Sequence, residues 1–345
     1  MKVLLHIGHH KTGSTALQRS LAQSRRFLRR GGILYPRLSG WWSVHHALFP
    51  HFFGVEYCDP YVLRRLGRSS QQSLETSRAA WQELRSQVAR LKPEKLILSS
   101  ETFFTAGYHA QMERLGNILR ELSDEIETVC YVRNPAEWVL SSFSTQIQMD
   151  SRFQWPPPGL REDVLKAYEV VRPAKFHVIK YASESLLGGN ITQDFGSRFI
   201  EGGLHNASSR RINVSLSAEA MVLMEKYVCY HRASRKQPMP LRQQLFRRIL
   251  RHVDSMLEGF EEPRLVPAAE ASIMRACTDL AWLEMHHAIA WSNSTNNSPY
   301  EECAINYGGE FSVPRACKLN EARLAELEKI MTCMPMRLAG LAPSV

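Results

Sequence analysis

The feature that most constrains the fold is the amino-terminal segment, where a short apolar run passes through a glycine-containing loop into a helix. The run is Val3–Gly8, the loop ends at Gly13, and Leu17 and Leu21 lie on one face of the expected helix. An apolar strand that leads directly into a helix is typical of α/β proteins with a parallel sheet. Such a unit also directs loop N–H groups and the positive end of a helix dipole toward one point, which predicts an anion site.

Strand and helix signals alternate over about the first 200 residues. Further short apolar runs predict strands that are buried on both faces, at Lys95–Ser99, Glu127–Val132 and Phe176–Tyr181, with a weaker candidate at Ile33–Pro36. A helical stripe from Leu74 to Leu91 separates two of them. The alternation predicts a three-layer α/β fold around a central, mostly parallel sheet.

The carboxyl-terminal third carries helical signals alone. The expected elements are an Ala218–His231 helix capped by Ser217, a basic amphipathic helix over Leu241–Leu257, and a Glu321–Cys333 helix capped by Asn320. We therefore expect a core domain over residues 1–215 and a helical region over residues 216–345 that packs on it.

The chain carries a net charge of +9, which suits an anionic ligand, nucleic acid or an acidic membrane surface. Its basic residues are scattered, and neither a zinc-finger spacing nor an RNA-binding aromatic signature accompanies them. We expect a solvated basic surface for most of these residues and no nucleic-acid partner.

The seven cysteines are widely spaced and form no CxxC pair, which argues against a disulfide framework or a structural zinc site. Cys130 falls within an apolar run and is expected in the core. Cys303 and Cys317 flank a Gly-Gly turn and are candidates for a pair, although free thiols are the default expectation.

The amino terminus lacks the apolar core and cleavage site of a signal peptide. No later stretch reaches the roughly 18 apolar residues that cross a bilayer. The expected location is the cytoplasm, with no membrane span.

The loop itself reads Lys11-Thr12-Gly13-Ser14-Thr15. Its glycine allows close backbone approach to a ligand, its hydroxyls add donors, and its lysine supplies a mobile charge. The nucleotide-triphosphatase loop has the lysine after its second glycine, as G-x-x-x-x-G-K-[ST], whereas this lysine precedes the glycine by two positions. The order resembles the 5′-phosphosulfate loop of sulfotransferases that use 3′-phosphoadenosine-5′-phosphosulfate (PAPS). The alternative is an ordinary strand–helix turn with a surface lysine.

A second strand–helix turn follows Glu127–Val132. Arg133 ends that strand, Asn134 and Pro135 suit the start of a helix, and Ser141 lies about two turns further along. An arginine followed eight positions later by a serine resembles the sulfotransferase element that grips the 3′-phosphate of PAPS. The resemblance gives that role to Arg133 and Ser141; the alternatives are a salt-bridged arginine and a solvated serine.

Glu101 follows the Lys95–Ser99 strand, where a hydroxyl acceptor would approach the sulfur. An attacking alcohol must lose its proton, and a carboxylate in a desolvated cleft can take it. Glycan sulfotransferases of the heparan-modifying type similarly place a glutamate after this strand, so the resemblance gives Glu101 the role of base. The alternative is a helix-capping or surface glutamate.

Histidines are the rival candidates for the base. His45 and His46 lie in an aromatic stretch, Trp41–Phe53, which we expect to bind the acceptor, with His46 as the catalytic contributor. Three histidines in this stretch suggest a metal, but neither a carboxylate nor a cysteine completes a recognisable ligand set. His6 lies in a buried strand and is expected to be structural.

The chain thus resembles bacterial-type PAPS-dependent sulfotransferases, similar to those that act on carbohydrates, over about its first 215 residues. The resemblance implies a P-loop-like fold and transfer of a sulfuryl group from PAPS to an acceptor hydroxyl, on a sugar or glycoconjugate, with release of 3′,5′-ADP and no metal. The competing readings are a P-loop-type kinase that uses ATP and magnesium, and a non-enzymatic polyanion-binding protein.

Overall fold

The computed structural model describes residues 1–104, 109–148, 160–204, 215–234, 240–291 and 312–333. Within these ranges five strands form one sheet, and they are β1 (Lys2–His6), β2 (Ile33–Leu34), β3 (Lys95–Ser99), β4 (Ile126–Arg133) and β5 (Lys175–Tyr181). Their order is β2-β3-β1-β4-β5, and every neighbouring pair is parallel. The predicted strands and the parallel sheet are confirmed.

The described residues also form α-helices along the whole chain. In chain order they are α1 (Ser14–Gln23), α2 (Arg25–Arg30), α3 (Phe49–Phe53), α4 (Pro60–Leu66), α5 (Ser70–Leu91), α6 (His109–Arg120), α7 (Pro135–Gln146), α8 (Leu160–Glu169), α9 (Ile191–Phe199), α10 (Ala218–Ser234), α11 (Pro240–Met256), α12 (Pro267–Ala276), α13 (Leu280–His287), α14 (Val313–Ala316) and α15 (Glu321–Cys333). Together with the sheet they make the expected α/β architecture. In the ranges that the structure covers, no helix combines the length and the apolar character needed to cross a membrane.

Apolar side chains on one face of the sheet form a cluster with three helices, α1, α2 and α9. Leu4 of β1 and Val129 of β4 pack there with Leu17, Leu21 and Phe195. Burying each such side chain stabilises the fold by about 1.5–3 kcal/mol. This cluster fixes α1 against the sheet, and it thereby fixes the loop that connects β1 to α1.

On the opposite face of the sheet lies α8, which contacts α6. The hydroxyl of Tyr168 in α8 donates to the backbone carbonyl of Phe103, just after β3. Its ring lies 6.4 Å from that of Phe176 in β5. Because helices lie on both faces, the sheet is the middle of three layers.

The strand β5 differs from its prediction. Its residues are partly exposed along the whole strand, whereas a strand buried on both faces was expected. The strand order explains the difference, because β5 lies at one edge of the sheet and β4, next to it, is buried along nearly its full length.

The chain divides into two compact units that alternate along the sequence. The first contains Met1–Asn134, Gly159–Ile212 and Asp279–Ala290, and the second contains Pro135–Pro158, Asn213–Thr278 and Trp291–Val345. The helix α7 therefore belongs to the second unit although it precedes residue 215, and α13 belongs to the first although it follows it.

In the second unit the predicted helix caps are confirmed. The Oγ of Ser217 accepts from the N–H of Ala220 at 3.2 Å, at the start of α10. The Oδ1 of Asn320 accepts from the N–H of Arg323 at 3.1 Å, at the start of α15. Each bond satisfies one N–H group that lacks a partner within its own helix.

A buried ionic cluster joins α10, α11 and α15. The Arg323 guanidinium donates to Glu219 Oε2 at 3.1 Å and to Asp254 Oδ1 at 2.9 Å. It also donates to Ser217 Oγ at 2.8 Å and to the carbonyls of Asp254 and Glu258 at 2.7 and 3.1 Å. All five N–H groups of an arginine are used in this way.

We expect Arg323→Met to lower the free energy of unfolding by about 3–5 kcal/mol, because Glu219 and Asp254 are left as buried carboxylates without their cation. The matched control is Lys226→Met, which removes the same charge from an exposed pair with Glu328 and should cost less than about 1 kcal/mol. Urea unfolding measures both. Equal losses for the two variants would show that the buried cluster adds nothing.

Candidate anion site at the carboxyl ends of the strands

The loop between β1 and α1 has an unusual backbone. Gly8, Lys11 and Gly13 all have positive φ angles, of 65°, 67° and 78°. For Lys11 this left-handed conformation costs roughly 1–2 kcal/mol relative to the right-handed one, because its Cβ approaches the backbone carbonyl. The Thr12 hydroxyl donates to the carbonyl of His9 at 2.6 Å and closes the loop. Strain of this kind persists where the surrounding structure holds it.

Contact with the residues that follow β3 explains why position 8 is a glycine. A Cβ on Gly8 would lie 3.2 Å from the Cα of Glu101 and 3.1 Å from the Oγ of Ser14. The positive φ and these contacts both disfavour a side chain at this position. The loop and the residue expected to act as base are therefore in direct contact.

Residues at the ends of β4 and β5 hold the other side of the loop. Arg133 Nη1 donates to the carbonyl of Lys11 at 2.9 Å, and its guanidinium lies 5.7 Å from the centre of the Tyr181 ring. A Cβ on Gly13 would lie 3.0 Å from the Tyr181 hydroxyl. Arg133 and Tyr181 are register partners in the sheet, and both lie at the carboxyl ends of their strands, on the same side of the sheet as the loop that follows β1.

The hydroxyls of the loop differ in their surroundings. The Oγ of Ser14 is buried and makes no hydrogen bond to any residue that the structure describes. Thr15 is exposed, and the hydrogen of the Thr12 hydroxyl is engaged by His9. The first N–H groups of a helix have no carbonyl one turn before them, so those of Ser14 and Thr15 are candidates to bind an anion beside Lys11, whereas the N–H of Ala16 donates to the Gly13 carbonyl at 2.9 Å.

Glu101 is held by two side chains from different elements. Its Oε2 accepts from Gln18 Nε2 at 2.7 Å, and its Oε1 lies 3.5 Å from His46 Nε2. The Nδ1 of His46 is 2.6 Å from the hydroxyl of Ser100. Both ring nitrogens of His46 are therefore engaged, while the Glu101 side chain keeps 23% of its surface exposed.

These contacts shift the pKa of Glu101. Burial alone raises it, but the hydrogen bond and charge of His46 and the bond from Gln18 outweigh burial and lower the pKa to about 2. At Lys11, burial lowers the pKa; Glu101 opposes this shift and Arg133 adds to it. Glu101 is thus ionised at neutral pH.

The lowered pKa of Glu101 predicts a pH-dependent stability. A carboxylate with a lowered folded-state pKa stabilises the fold above its ordinary value of 4.5, and this contribution is lost as the pH falls toward about 2. We expect the difference in unfolding free energy between the wild type and Glu101→Gln to shrink across this window, as measured by urea unfolding at several pH values. A difference that widens as the pH falls would require a raised pKa instead.

Two neighbouring histidines are structural. His45 Nδ1 accepts from the N–H of Ser99 at 2.9 Å and its Nε2 donates to the carbonyl of Pro36 at 3.0 Å, which fixes one neutral tautomer. Burial lowers its pKa to about 3. His6 Nδ1 lies 2.7 Å from Ser99 Oγ, and burial lowers its pKa to about 4. His6 is buried, as its strand position predicts.

The aromatic stretch Trp41–Phe53 is mostly core, so its expected role as an acceptor-binding segment is wrong for most of its members. Phe49, Phe52 and Phe53 are fully buried, and Phe52 packs edge-on against Trp81 of α5 at 5.6 Å. Trp42 is exposed. The apolar composition of the stretch Trp41–Phe53 therefore reflects packing in the core. The spacing of the residues alone does not distinguish such packing from a binding surface.

The structure brings together most of the predicted site. The loop residues adjoin the other predicted residues at the carboxyl ends of the strands, all within the first unit. The loop contributes Lys11, Thr12, Gly13 and Ser14, and its neighbours are Glu101, His46 and Arg133. Ser141 lies in α7 of the second unit and is partly exposed, and its pairing with Arg133 on one ligand stays a prediction. Cys303, the candidate partner of Cys317, lies outside the described residues.

Gln18 is the site residue that the sequence analysis misses. It lies four residues after Ser14 on the buried face of α1, between the core residues Leu17 and Leu21. A glutamine within a buried stripe is the signal that points to it, since a buried amide needs a polar partner.

No model of a known protein family and no curated protein matches the chain.

Proposed function

We propose that the chain is a PAPS-dependent sulfotransferase that transfers a sulfuryl group to an acceptor hydroxyl and releases 3′,5′-ADP. The observation that carries the proposal is the direct contact of the β1–α1 loop with Glu101. A loop that can bind an anion thus lies next to a carboxylate that can accept a proton. Such an arrangement meets the needs of a transfer from a charged donor to a hydroxyl.

The donor side is supported by the chemistry of the loop. In the proposal the buried Oγ of Ser14, the first N–H groups of α1 and the ammonium of Lys11 bind the phosphosulfate. Arg133 supports the loop through the Lys11 carbonyl and lies at the strand end where the resemblance puts the 3′-phosphate. The Thr12 hydroxyl stabilises the loop by donating to the His9 carbonyl, so in the proposal Thr12 contacts the ligand through its backbone N–H.

The transfer is a displacement at sulfur. The acceptor oxygen forms a bond to sulfur, the bond from sulfur to the bridging oxygen breaks, and its electron pair stays with the 5′-phosphate of 3′,5′-ADP. Lys11 stabilises the charge that grows on this leaving oxygen. The acceptor proton passes to Glu101.

We assign the proton acceptor to Glu101 and a positioning role to His46. Both ring nitrogens of His46 are engaged by Ser100 and Glu101, whereas each oxygen of an ionised carboxylate keeps a second lone pair beside its existing bond. A pKa of about 2 makes Glu101 a weak base in the free protein. The negative phosphosulfate beside it raises this pKa in the complex, which strengthens it as a base.

The acceptor follows from the resemblance alone. A glutamate base after the third strand of the chain is similar to the arrangement of glycan sulfotransferases, and we propose a sugar or glycoconjugate hydroxyl as the acceptor.

Thermal-shift measurements test the donor. In the presence of a chelator, 3′,5′-ADP should raise the melting temperature, while ATP with magnesium and a heparin-like polymer should raise it less. Stabilisation by ATP only with magnesium would favour a kinase. Stabilisation by the polymer alone would favour a polyanion-binding protein, and either result would overturn the proposal.

A further inference from the structure

The helix α11 carries an apolar stripe that faces outward. Leu245 and Met256 are 49% and 72% exposed, and Ile249 between them is partly exposed. The spacing of four and then seven residues places all three on one side of the helix. These three side chains therefore share one side of α11, with the exposed His252 between Ile249 and Met256.

This stripe is separate from the face that packs within the unit. Phe246, Leu250 and Val253 are buried on the adjacent side of α11, and the Phe246 ring stacks on Tyr227 of α10 at 4.0 Å. Packing of α11 on its neighbour thus accounts for only part of its apolar surface.

Basic side chains flank the exposed stripe. Arg242 and Arg248 are exposed three residues before and after Leu245, His252 is exposed three residues after Ile249, and Arg251 is exposed beside them. The one acidic residue of the helix, Asp254, is buried and bonded to Arg323. No carboxylate of α11 itself offsets the positive charge along its exposed face.

We propose that α11 docks on the surface of an anionic lipid bilayer. The apolar stripe would enter the boundary between headgroups and acyl chains, and the arginines would contact lipid phosphates, a mode typical of basic amphipathic helices. This proposal is independent of the sulfotransferase activity.

Charge and polarity favour a bilayer over other occupants. A nucleic acid or other polyanion would satisfy the arginines but leave Leu245 and Met256 in water. A second copy of the chain, related by a two-fold axis, would bring the arginines of one α11 toward those of the other, and like charges repel. A lipid surface offers negative charge and an apolar layer together.

Vesicle sedimentation tests the proposal with the full chain. Vesicles that contain about a quarter phosphatidylglycerol in phosphatidylcholine should bind the protein, and pure phosphatidylcholine should bind it at least about tenfold less. Raising the salt concentration should weaken binding without abolishing it, because the apolar contribution is not screened. Equal binding to both kinds of vesicle, or none to either, would overturn the proposal.

Two double variants separate the apolar from the electrostatic contribution. Leu245→Ser with Met256→Ser, and Arg242→Gln with Arg248→Gln, should each lower partition onto anionic vesicles by about tenfold or more. The matched control, Arg29→Gln with Arg30→Gln in α2, removes the same charge from exposed arginines and should change it by less than about twofold. Melting curves verify that each variant is folded.

The remaining outcomes are decisive against the proposal. If the apolar variant binds vesicles as the wild type does while the arginine variant loses binding to vesicles and heparin alike, the helix is a polyanion site. If the apolar variant instead abolishes a dimer seen by sedimentation velocity, the stripe is an interface between copies.

Discussion

Lys11→Ala should lower turnover by a hundredfold or more while leaving the fold intact. Losing one preorganised group that stabilises charge in the transition state typically costs about 2.7–4 kcal/mol of barrier. Lys11 is half-buried, and burial is the main cause of its lowered pKa. Arg133 holds the backbone of its loop. Alanine leaves that backbone contact in place, because the arginine binds the carbonyl of residue 11.

The measurement is the initial rate of sulfuryl transfer from labelled PAPS, with the melting temperature as a check on folding. Lys166→Ala, which removes an exposed lysine of α8 paired with Glu162, is the matched control and should keep the wild-type rate. A Lys11→Ala protein with undiminished transfer would remove the loop from the mechanism.

Glu101→Gln should lower turnover by about a hundredfold to ten-thousandfold, the usual contribution of a general base. Glutamine is nearly isosteric and can still accept from Gln18 through its carbonyl oxygen, so 3′,5′-ADP should still stabilise the protein. Rates with labelled PAPS and thermal shifts with 3′,5′-ADP measure the two effects. Glu83→Gln, at a partly exposed carboxylate that accepts from the N–H of Ser39, is the control and should be neutral.

The same assay separates the roles of Glu101 and His46. If His46 positions the carboxylate, His46→Asn should lose less turnover than Glu101→Gln, and the lost hydrogen bond should shift the acid limb of the pH profile upward. A histidine variant without turnover beside an active Glu101→Gln protein would reverse the two assignments.

The sequence predicts the sheet well because each central strand is a short apolar run between turn signals. The same reasoning overestimates the burial of β5, since periodicity does not reveal which strand lies at an edge. The sequence also does not reveal which helices belong to which of the two compact units. The helix α7 follows β4 directly in sequence, yet it groups with the second unit and contacts α12, which begins at Pro267, and only the folded chain brings these two helices together.

The candidate site is predictable where local order determines it. Lys11 and Arg133 stand out because a strand end and a helix start frame each of them. The bonds from Gln18 and His46 to Glu101 join three separate elements, and no spacing in the chain encodes them. The aromatic stretch after Trp41 shows the converse, because a composition that suits ligand binding also suits a core.

The most direct test of the donor assignment is transfer of labelled sulfur from PAPS into cell-extract acceptors, with labelled ATP run in parallel. We expect labelled product from PAPS in the presence of a chelator, strongly reduced product with Lys11→Ala, and no transfer from ATP. Magnesium-dependent transfer of the ATP γ-phosphate, with no label transferred from PAPS, would contradict the donor assignment.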